Sequence, residues 1–313
     1  MELVYVIYGF LSTFYFLKFL IPLLKEKVID FPNKRSLHND PTPTGGGIVF
    51  SIQIIIISFF SRDYLPLICL PLSVVGFLDD KYNLSSKLRF LVQICTSFLI
   101  IFFTRINFEG INNLTLIEIF IIIFFIFTFT AFINFVNFMD GIDGLVASCL
   151  FAGFLFIALN NDPLIFIFIG ILLGFLKWNW MPAKIFMGDV GSTFLGAYYL
   201  LSLSRFDNLE NIVGFFFAMS PLIFDAAICV LRRLYYKENI FTPHKLHLYQ
   251  RLCDSGLSHS KVTILYFLAC LILCITYNIF GLIQLFGVVS LIIFFGIWLD
   301  RNVATKFEIS LKS

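Results

Sequence analysis

The stretch 114-LTLIEIFIIIFFIFTFTAFI-133 is apolar along almost its whole length, with Glu118 as its single charged residue. A helix built from it has no continuous polar face, which excludes an amphipathic helix of a soluble protein. About 20 mostly apolar residues are what an α-helix needs to cross the hydrocarbon core of a bilayer. The stretch therefore predicts a transmembrane helix.

The rest of the chain has the same character. Hydrophobic residues make up 59% of the 313 residues and charged residues only 13%, and no strand-like alternation is present. We predict an all-α integral membrane protein, a polytopic bundle of about ten or eleven transmembrane helices with catalytic cytoplasmic loops. One transmembrane catalytic domain is expected over residues 1–313. The predicted spans are 3–24, 45–61, 64–78, 88–104, 114–133, 142–160, 163–178, 190–204, 211–231, 262–280 and 282–299.

The number of spans and their orientation depend on a few residues. Pro66 and Pro71 weaken the third span, so ten spans remain an alternative to eleven. With eleven spans, the loops on one side carry most lysines and arginines, and only Arg62, Arg105 and Arg205 lie on the other. The positive-inside rule then predicts that the amino terminus faces out and that the carboxyl terminus is cytoplasmic. The net charge of +2 gives no support for nucleic-acid binding.

Carboxylates stand at the ends of two predicted spans. Asp79 and Asp80 begin the segment 79-DDKYNLSSK-87, and Asp189 lies in 188-GDVGSTFLGA-197. An acid at the end of an apolar span must pair or stay hydrated, and a divalent cation is a natural partner. Mg²⁺ suits such a site, because it takes one or two carboxylates and completes its shell with water and phosphate oxygens. Simple helix capping is the alternative for all three acids.

Amide and carboxylate side chains are concentrated in 134-NFVNFMDGIDG-144. Asn134 and Asn137 are three residues apart, as are Asp140 and Asp143, so each pair shares a face if the segment is helical. This density of polar oxygens favours a ligand that needs many hydrogen bonds, such as a nucleotide-sugar. A turn with self-capping aspartates is the alternative.

The loop segment 244-HKLHLYQR-251 places His244, His247 and Arg251 on one side of a helix. Such side chains suit a diphosphate, although a basic face on anionic lipid is an alternative. Zinc is a third interpretation, but no third ligand is identifiable. The chain's seven cysteines show no zinc-like spacing and are interpreted as small packing residues.

Two further features are open to more than one interpretation. The run 45-GGG-47 is equally good for close helix packing and for the approach of a phosphate. Asp225 lies inside the ninth predicted span, where it either pairs with Arg232 or joins the polar site.

In this order the motifs resemble those of the polyprenyl-phosphate N-acetylhexosamine-1-phosphate transferases, glycosyltransferase family 4. Any one of them is weak, but together they extend over nearly the whole chain. The matching pieces are 41-PTPTGGG-47, 79-DDKYNLSSK-87, 134-NFVNFMDGIDG-144, 185-IFMGDVGS-192, 221-PLIFD-225 and 244-HKLHLYQRL-252.

The resemblance implies transfer of an N-acetylhexosamine 1-phosphate from a UDP-sugar to undecaprenyl phosphate at the cytoplasmic membrane face, releasing UMP. The implied cofactor is Mg²⁺, with Mn²⁺ as an alternative, and a homodimer is expected by analogy only. Asp79 is expected to act as a base or orienting group during direct attack by the lipid phosphate, with a phospho-enzyme as the alternative. The expected catalytic residues are Asp79, Asp80 and Asp189, of which Asp80 and Asp189 hold the metal. The expected substrate-binding residues are Asn134, Asn137, Asp140, Asp143, Lys87, His244, His247 and Arg251.

Other functions remain open from sequence. The muramyl-pentapeptide branch of the same family has a longer histidine run, so 244-HKLHLYQRL-252 is more similar to the envelope-polysaccharide branch, which starts O-antigen or another surface glycan. That branch uses N-acetylglucosamine or a 6-deoxy relative. A polyprenyl-diphosphate hydrolase could use the same acids with water as acceptor. A secondary transporter is disfavoured, because nearly all acids lie at one face.

Overall fold

The fold is an α-helical bundle. The computed structural model describes residues 1–32, 37–38, 40–82, 84–105, 115–160, 163–239, 242 and 244–312. A short antiparallel pair, β1 (Ile29–Asp30) and β2 (Thr42–Pro43), follows the first helix, and a 3-10 helix covers Leu65–Cys69. The α-helices are α1 (Glu2–Lys27), α2 (Ile48–Ser61), α3 (Leu70–Tyr82), α4 (Ser86–Arg105), α5 (Leu116–Phe138), α6 (Leu145–Asn160), α7 (Ile165–Asn179), α8 (Asp189–Ser204), α9 (Leu209–Ala218), α10 (Ser220–Tyr235), α11 (Leu248–Asp254), α12 (His259–Phe280), α13 (Leu282–Asn302) and α14 (Phe307–Lys312).

Every predicted span contains helix, so the all-α polytopic membrane fold is confirmed. Within the described part of the chain, five helices are long and apolar enough to cross a bilayer, namely α1, α4, α5, α12 and α13. Counting α9 and α10 as one bent span gives a sixth, and α2, α6 and α7 are shorter apolar helices. The count of ten or eleven spans, the membrane sidedness and the single domain stay predictions. Leu114, where the fifth predicted span starts, lies outside the described residues.

The ninth predicted span is not one continuous helix. In place of a single helix over 211–231, α9 ends at Ala218 and α10 begins at Ser220, with an angle of 66° between them. Pro221 is the second residue of α10, where a missing N–H costs nothing, but its ring prevents α9 from continuing through this point. The bend brings Asp225 of α10 against α11, where its carboxylate accepts the Leu248 N–H at 2.7 Å.

The centre of the bundle is α8. Every residue of this helix from Val190 to Ser204 is buried, and the helix packs against α2, α3, α4, α5, α6 and α9. Such complete burial is possible because no charged residue follows Asp189 in this helix and its serine and threonine hydroxyls donate to backbone carbonyl oxygens four residues earlier. The first residue, Asp189, therefore emerges from the middle of the protein at the point where α3 and α5 end.

Glycines let α1 and α7 pack closely against each other. A Cβ atom added at Gly9 would lie 2.1 Å from the Ile167 carbonyl oxygen, and one at Gly170 would lie 2.1 Å from the Val6 carbonyl oxygen. Small residues that let two backbones approach are the usual basis of tight helix pairs in membranes. The pairing of α1 with α7 therefore depends on the absence of side chains at these two positions.

We expect Gly9→Ala to lower the free energy of unfolding by about 1–3 kcal/mol, because the added methyl group overlaps backbone that cannot move aside. The matched control is Gly287→Ala in α13, where a Cβ atom would meet nothing within 4 Å. Melting temperatures of the two variants in detergent test this expectation. Equal values would show that α1 and α7 can separate at little cost.

Candidate active site

A polar cavity of about 1210 Å³ lies at the end of the bundle where α3 and α5 end and α8 begins. It brings together residues that are far apart in the sequence. The predicted site residues that line it are Asp79, Asp80, Asn137, Asp140, Asp143, Asp189 and His244. The predicted site residues outside its lining are Lys87, Asn134, His247 and Arg251.

Asp189 faces this cavity from the first position of α8. The N-cap position of α8 is Gly188, and the Asp189 side chain makes its hydrogen bonds with residues of other helices. One carboxylate oxygen accepts the Asn137 side-chain amide at 2.9 Å, and the other accepts Nη1 of Arg89 at 2.9 Å. The negative charge also lies at the positive end of the α8 dipole. Asp189 is thus held in one orientation by partners from α4 and α5.

Asp79 and Asp80 occupy the last turn of α3, beside Asp189. Asp79 accepts the Leu84 N–H at 2.7 Å and Nη1 of Arg89 at 2.7 Å, so it partly serves the local connection to α4. One oxygen of Asp80 accepts the Asp189 N–H at 3.0 Å. The other oxygen, Oδ2, is buried and has no hydrogen-bond partner. A buried carboxylate oxygen without a partner is costly, which makes Asp80 the acid most in need of a cation.

Ionising all the acids of the cavity at once is unfavourable, because burial and mutual repulsion raise the pKa values of three of them. Burial, followed by repulsion from Asp189, raises the pKa of Asp80 to about 8. Burial and the same neighbour raise the pKa of Asp79 to about 6, despite the opposing effect of Arg89. In the turn after α5, burial and the surrounding acids raise the pKa of Asp140 well above its ordinary value.

These residues fit a hard divalent cation. Asp80 Oδ2 lies next to Gly188, where an added Cβ atom would be 2.4 Å from it, so the backbone leaves room at this oxygen only because residue 188 is glycine. Carboxylate oxygens from α3 and α8 supply the ligand type that Mg²⁺ prefers. A bound cation would also remove the repulsion that raises the pKa values of Asp79 and Asp80.

Arg89 is a site residue that the sequence did not reveal. It lies in the first turn of α4, and its Nη1 bridges Asp79 and Asp189. The resemblance had selected Lys87, which is exposed; neither cation is in the cavity lining, and the ion pairs with Asp79 and Asp189 are what distinguish Arg89. Residues two apart on a helix point in different directions, so only one of the two cations can face the acids. Only the rotation of α4 in the folded protein decides which one does.

Of the two predicted pairs in 134–144, one lies on a helix and the other lies in a turn. Asn134 and Asn137 both lie on α5, as expected, but Asn134 donates to Oε1 of Gln93 at 2.6 Å and to the Thr130 carbonyl oxygen at 2.9 Å. Asn137 alone reaches the cavity. The helical face proposed for Asp140 and Asp143 is wrong, because α5 ends at Phe138 and α6 begins only at Leu145.

The turn between α5 and α6 makes polar contacts with residues that are distant in the sequence. Asp143 accepts the Ala183 N–H at 3.0 Å and lies 3.4 Å from Nδ1 of His259. The turn ends at Gly144, whose φ of +73° suits glycine. The self-capping alternative for Asp143 is therefore wrong, because its carboxylate connects three parts of the chain.

The histidine loop is not the helical face that was predicted. Since α11 begins at Leu248, His244 lies in the preceding loop and His247 has extended backbone. His247 and Arg251 are each 2% exposed, which rules out a face lying on lipid. Arg251 donates to Asp300 and to the carbonyl oxygens of Leu246 and Thr305. Only His244 of the predicted trio lines the polar cavity.

Asp225 stands behind this loop and neither pairs with Arg232 nor enters the cavity lining. Its carboxylate accepts the N–H groups of Leu248 and Tyr249 and the hydroxyl of Tyr266. Arg232 pairs instead with Asp300, at 2.6 Å. Burial acts to lower the pKa of His247, but its contact with Asp225 raises that pKa to about 9. Asp225 is thus the anchor of the start of α11.

The glycine run before α2 serves packing. The Gly46 and Gly47 N–H groups each donate at 2.9 Å to carbonyl oxygens of Phe186 and Met187. A Cβ atom at Gly47 would lie 2.2 Å from Cα of Gly191. These backbone donors are used within the protein, so close packing rather than the approach of a phosphate explains both residues. The packing holds the segment before α8, and with it Asp189, in place.

The helices and the cavity define a multi-pass membrane protein with an acidic, cation-competent site at one end of its bundle. Residues 64–205 match the family model described as glycosyl transferase family 4. A phospho-N-acetylmuramoyl-pentapeptide-transferase of Staphylococcus epidermidis is 31% identical over 298 residues, covering 82% of this chain and 92% of the relative. The chain belongs to this family, that of the polyprenyl-phosphate N-acetylhexosamine-1-phosphate transferases, and is a glycosyl-1-phosphate transferase.

Other relatives carry other names. A probable undecaprenyl-phosphate N-acetylglucosaminyl 1-phosphate transferase of Bacillus subtilis is 29% identical over 271 residues, covering 78% of this chain and 75% of the relative. An undecaprenyl-phosphate alpha-N-acetylglucosaminyl 1-phosphate transferase of Thermotoga maritima is 28% identical over 228 residues, covering 71% and 72%. The resemblance seen in the sequence motifs is therefore confirmed at the level of the family.

Proposed function

We propose that this protein transfers N-acetylglucosamine 1-phosphate, or a 6-deoxy N-acetylated relative, from a UDP-sugar to undecaprenyl phosphate and releases UMP. The reaction takes place at the cytoplasmic face of a bacterial inner membrane and starts O-antigen or another surface glycan. The observation that carries the proposal is the convergence of Asp79, Asp80 and Asp189 on one polar cavity at the end of a membrane bundle. A lipid phosphate can reach such a site without leaving the bilayer. The names of the Bacillus and Thermotoga relatives support the choice of acceptor and sugar.

The proposed cofactor is Mg²⁺, with Mn²⁺ as the alternative, held by Asp80 and Asp189. The partnerless Oδ2 of Asp80 supports this assignment. When bound, the cation would neutralise charge on the diphosphate that is being cleaved. Asn137 and Arg89 would keep Asp189 oriented toward it, as they do through their hydrogen bonds in the structure.

Asp79 is proposed as the base or orienting group for the acceptor phosphate, not as a nucleophile. Both of its oxygens already accept hydrogen bonds, from Leu84 and Arg89, which an attacking carboxylate would have to break. A bound cation would lower the pKa of Asp79 from the value of about 6 that it has without one. Asp79 would then be ionised and able to accept a hydrogen bond or a proton from the acceptor phosphate. This supports direct attack by the lipid phosphate over a phospho-enzyme.

The proposed contacts with the nucleotide-sugar are Asn137, Asp140, Asp143 and His244, because all four line the cavity. Lys87, Asn134, His247 and Arg251 stand outside that lining, so any effect they have on the substrate is indirect. His247 and Arg251 support the loop that carries His244. Asn134 joins α5 to α4 below Asn137.

The muramyl-pentapeptide donor is the second candidate, favoured by the similarity to the Staphylococcus relative. The loop argues against it, because Leu246 and Leu248 flank His247 and no longer histidine run is present. Tyr249 is buried and its hydroxyl donates to the Phe138 carbonyl oxygen at 3.1 Å, so this position packs the loop against α5.

UMP release tests the proposal. Purified protein in detergent is given undecaprenyl phosphate, Mg²⁺ and each of UDP-N-acetylglucosamine, its 6-deoxy relatives and UDP-N-acetylmuramyl-pentapeptide. We expect release with an N-acetylhexosamine donor, and only when the lipid phosphate is present. Release without the lipid would indicate a hydrolase, and release with the pentapeptide donor alone would indicate the other branch. No release from any donor by folded protein would overturn the proposal.

Arg89→Ala should lower kcat/KM by about 100-fold, because it removes the cation that fixes two of the three acids. Lys87→Ala, two residues away on the same helix, should change kcat/KM by no more than about threefold, since an exposed lysine outside the cavity contributes little. Steady-state UMP release measures both. A larger loss for Lys87→Ala than for Arg89→Ala would restore the role that the resemblance implied for Lys87.

A further inference from the structure

A second group of metal-competent side chains lies apart from the acids. The ligand atoms of Cys229, His244 and His247 all lie within 4.8 Å of one another. Cys229 comes from α10, His247 from the position before α11, and His244 from the loop between these helices. The two histidines had no third ligand in the sequence. In the structure, Cys229 of α10 supplies that third ligand.

His247 has a carboxylate near its ring, at a distance slightly too long for a hydrogen bond. Its Nδ1 lies 3.6 Å from a carboxylate oxygen of Asp225. Asp225 is held in turn by the Leu248 N–H and the Tyr266 hydroxyl, both at 2.7 Å. Histidines that bind metals usually donate their second ring N–H to such a carboxylate, which fixes the ring and makes the other nitrogen more basic.

An ion bound by these three residues would be shielded from water but still accessible from the polar cavity. Cys229 is 3% exposed and His247 is 2% exposed. Cys229 borders an apolar cavity of about 490 Å³ next to α12 and α13, whereas His244 borders the polar cavity. The three ligands therefore stand at the boundary between the apolar interior and the polar site, with an approach from the polar side.

We propose that Cys229, His244 and His247 bind one zinc ion, with Asp225 as the hydrogen-bond partner of His247 and a fourth position facing the polar cavity. A thiolate and two imidazoles suit Zn²⁺, whereas Mg²⁺ prefers carboxylate oxygens such as those of Asp80 and Asp189. The ligand types therefore favour a different metal at each of the two sites. Zinc bonds of about 2.0–2.3 Å require the three ligand atoms to move together by roughly 1 Å. On binding, the Cys229 thiol and the His247 imidazolium each release one proton to the solvent, and no redox step occurs.

The ion would have two effects that the proposed function does not include. It would fasten the loop that carries His244 to α10, about two turns beyond Pro221. It would also present an open coordination position to the cavity, where a water molecule or a phosphate oxygen could bind. Zinc binding is independent of the sugar donor, so its test needs no substrate.

The test is metal binding by the full-length protein in detergent. We expect about one zinc per chain by elemental analysis after purification without chelators. After removal of zinc, added Co²⁺ should give a thiolate-to-cobalt charge-transfer band and the visible absorption of a tetrahedral site. Cys229→Ser should abolish the charge-transfer band and weaken zinc binding at least about tenfold. Cys253→Ser is the matched control, because Cys253 lies on the neighbouring α11 and is not in the cluster.

Other outcomes would overturn the proposal. Folded wild-type protein with less than about 0.1 zinc per chain and no cobalt–thiolate band excludes the site, whatever the variants do. A band that persists in Cys229→Ser, or that is lost in Cys253→Ser, assigns the thiolate elsewhere. Asp189→Asn should keep the band. A band lost in Asp189→Asn would show that the thiolate site depends on the acidic cluster, which contains no cysteine, and would overturn the proposal of a separate zinc site.

Discussion

Asp189→Asn should lower lipid-dependent UMP release by roughly 1000-fold or more at any magnesium concentration, because it removes one of the two carboxylates proposed to hold the cation. Asp189 accepts hydrogen bonds from Arg89 and Asn137 and gives its own N–H to Asp80, so it stands at the centre of the site. The amide keeps the size of the side chain and should leave folding intact. Initial rates over a magnesium titration, together with the melting temperature, measure the effect.

The matched control is Asp63→Asn. Asp63 is also paired with an arginine, Arg205, at 2.6 Å, but Arg205 follows the last residue of α8, at the opposite end from Asp189. Loss of this pair should leave UMP release within about threefold of wild type. Comparable activity in Asp189→Asn and Asp63→Asn would remove Asp189 from the active site.

Asp80→Asn should lower UMP release by about 100-fold or more and, in the absence of divalent cations, make the protein more stable than wild type at pH 8. The folded protein raises the pKa of Asp80 to about 8 from an ordinary value of 3.8. The folded state therefore binds a proton more tightly than the unfolded state, and wild type loses stability as pH rises from about 4 to 8. Asparagine carries no charge at any pH, so the variant escapes this loss.

Melting temperatures at pH 5 and pH 8, in a chelator and in Mg²⁺, measure this difference. Mg²⁺ should stabilise wild type at pH 8 and have little effect on Asp80→Asn, since the variant lacks a proposed ligand. The advantage of the variant in the chelator should shrink at pH 5, where the wild-type carboxyl is mostly protonated. A variant that is less stable than wild type at pH 8 without divalent cations would show that Asp80 is not a strained buried acid.

The helices were predictable because membrane spans depend on local composition. The run 114–133 has no room for a polar face, and α5 covers its described part from Leu116 onward. The bend between α9 and α10 was missed, although Pro221 was visible, because hydropathy averaged over 211–231 does not register a change of direction. The end of α5 at Phe138 was missed for a similar reason, since Asp140 and Asp143 have helical spacing but lie in a turn.

The acids of the site could also be predicted from the sequence, because a carboxylate beside an apolar run costs free energy and is rarely present without a function. That reasoning led to Asp79, Asp80 and Asp189, which the structure brings together. It could not distinguish Lys87 from Arg89, because both are cations in the first turn of one helix. It could not find Cys229 either, because a cysteine inside an apolar helix has the same local pattern whether it packs or binds.

The amino-acid sequence alone determined the membrane environment, the helical class, the family and the acids of the cavity, because each of these follows from local composition or from short motifs. Only the tertiary structure decided which cation bridges Asp79 and Asp189. It also decided which groups donate hydrogen bonds to Asp225, and that Cys229 lies close to His244 and His247. These pairings depend on the rotation of α4 and on the bend before α10. Both are set by packing among helices that are distant in the chain, and no single segment contains that information.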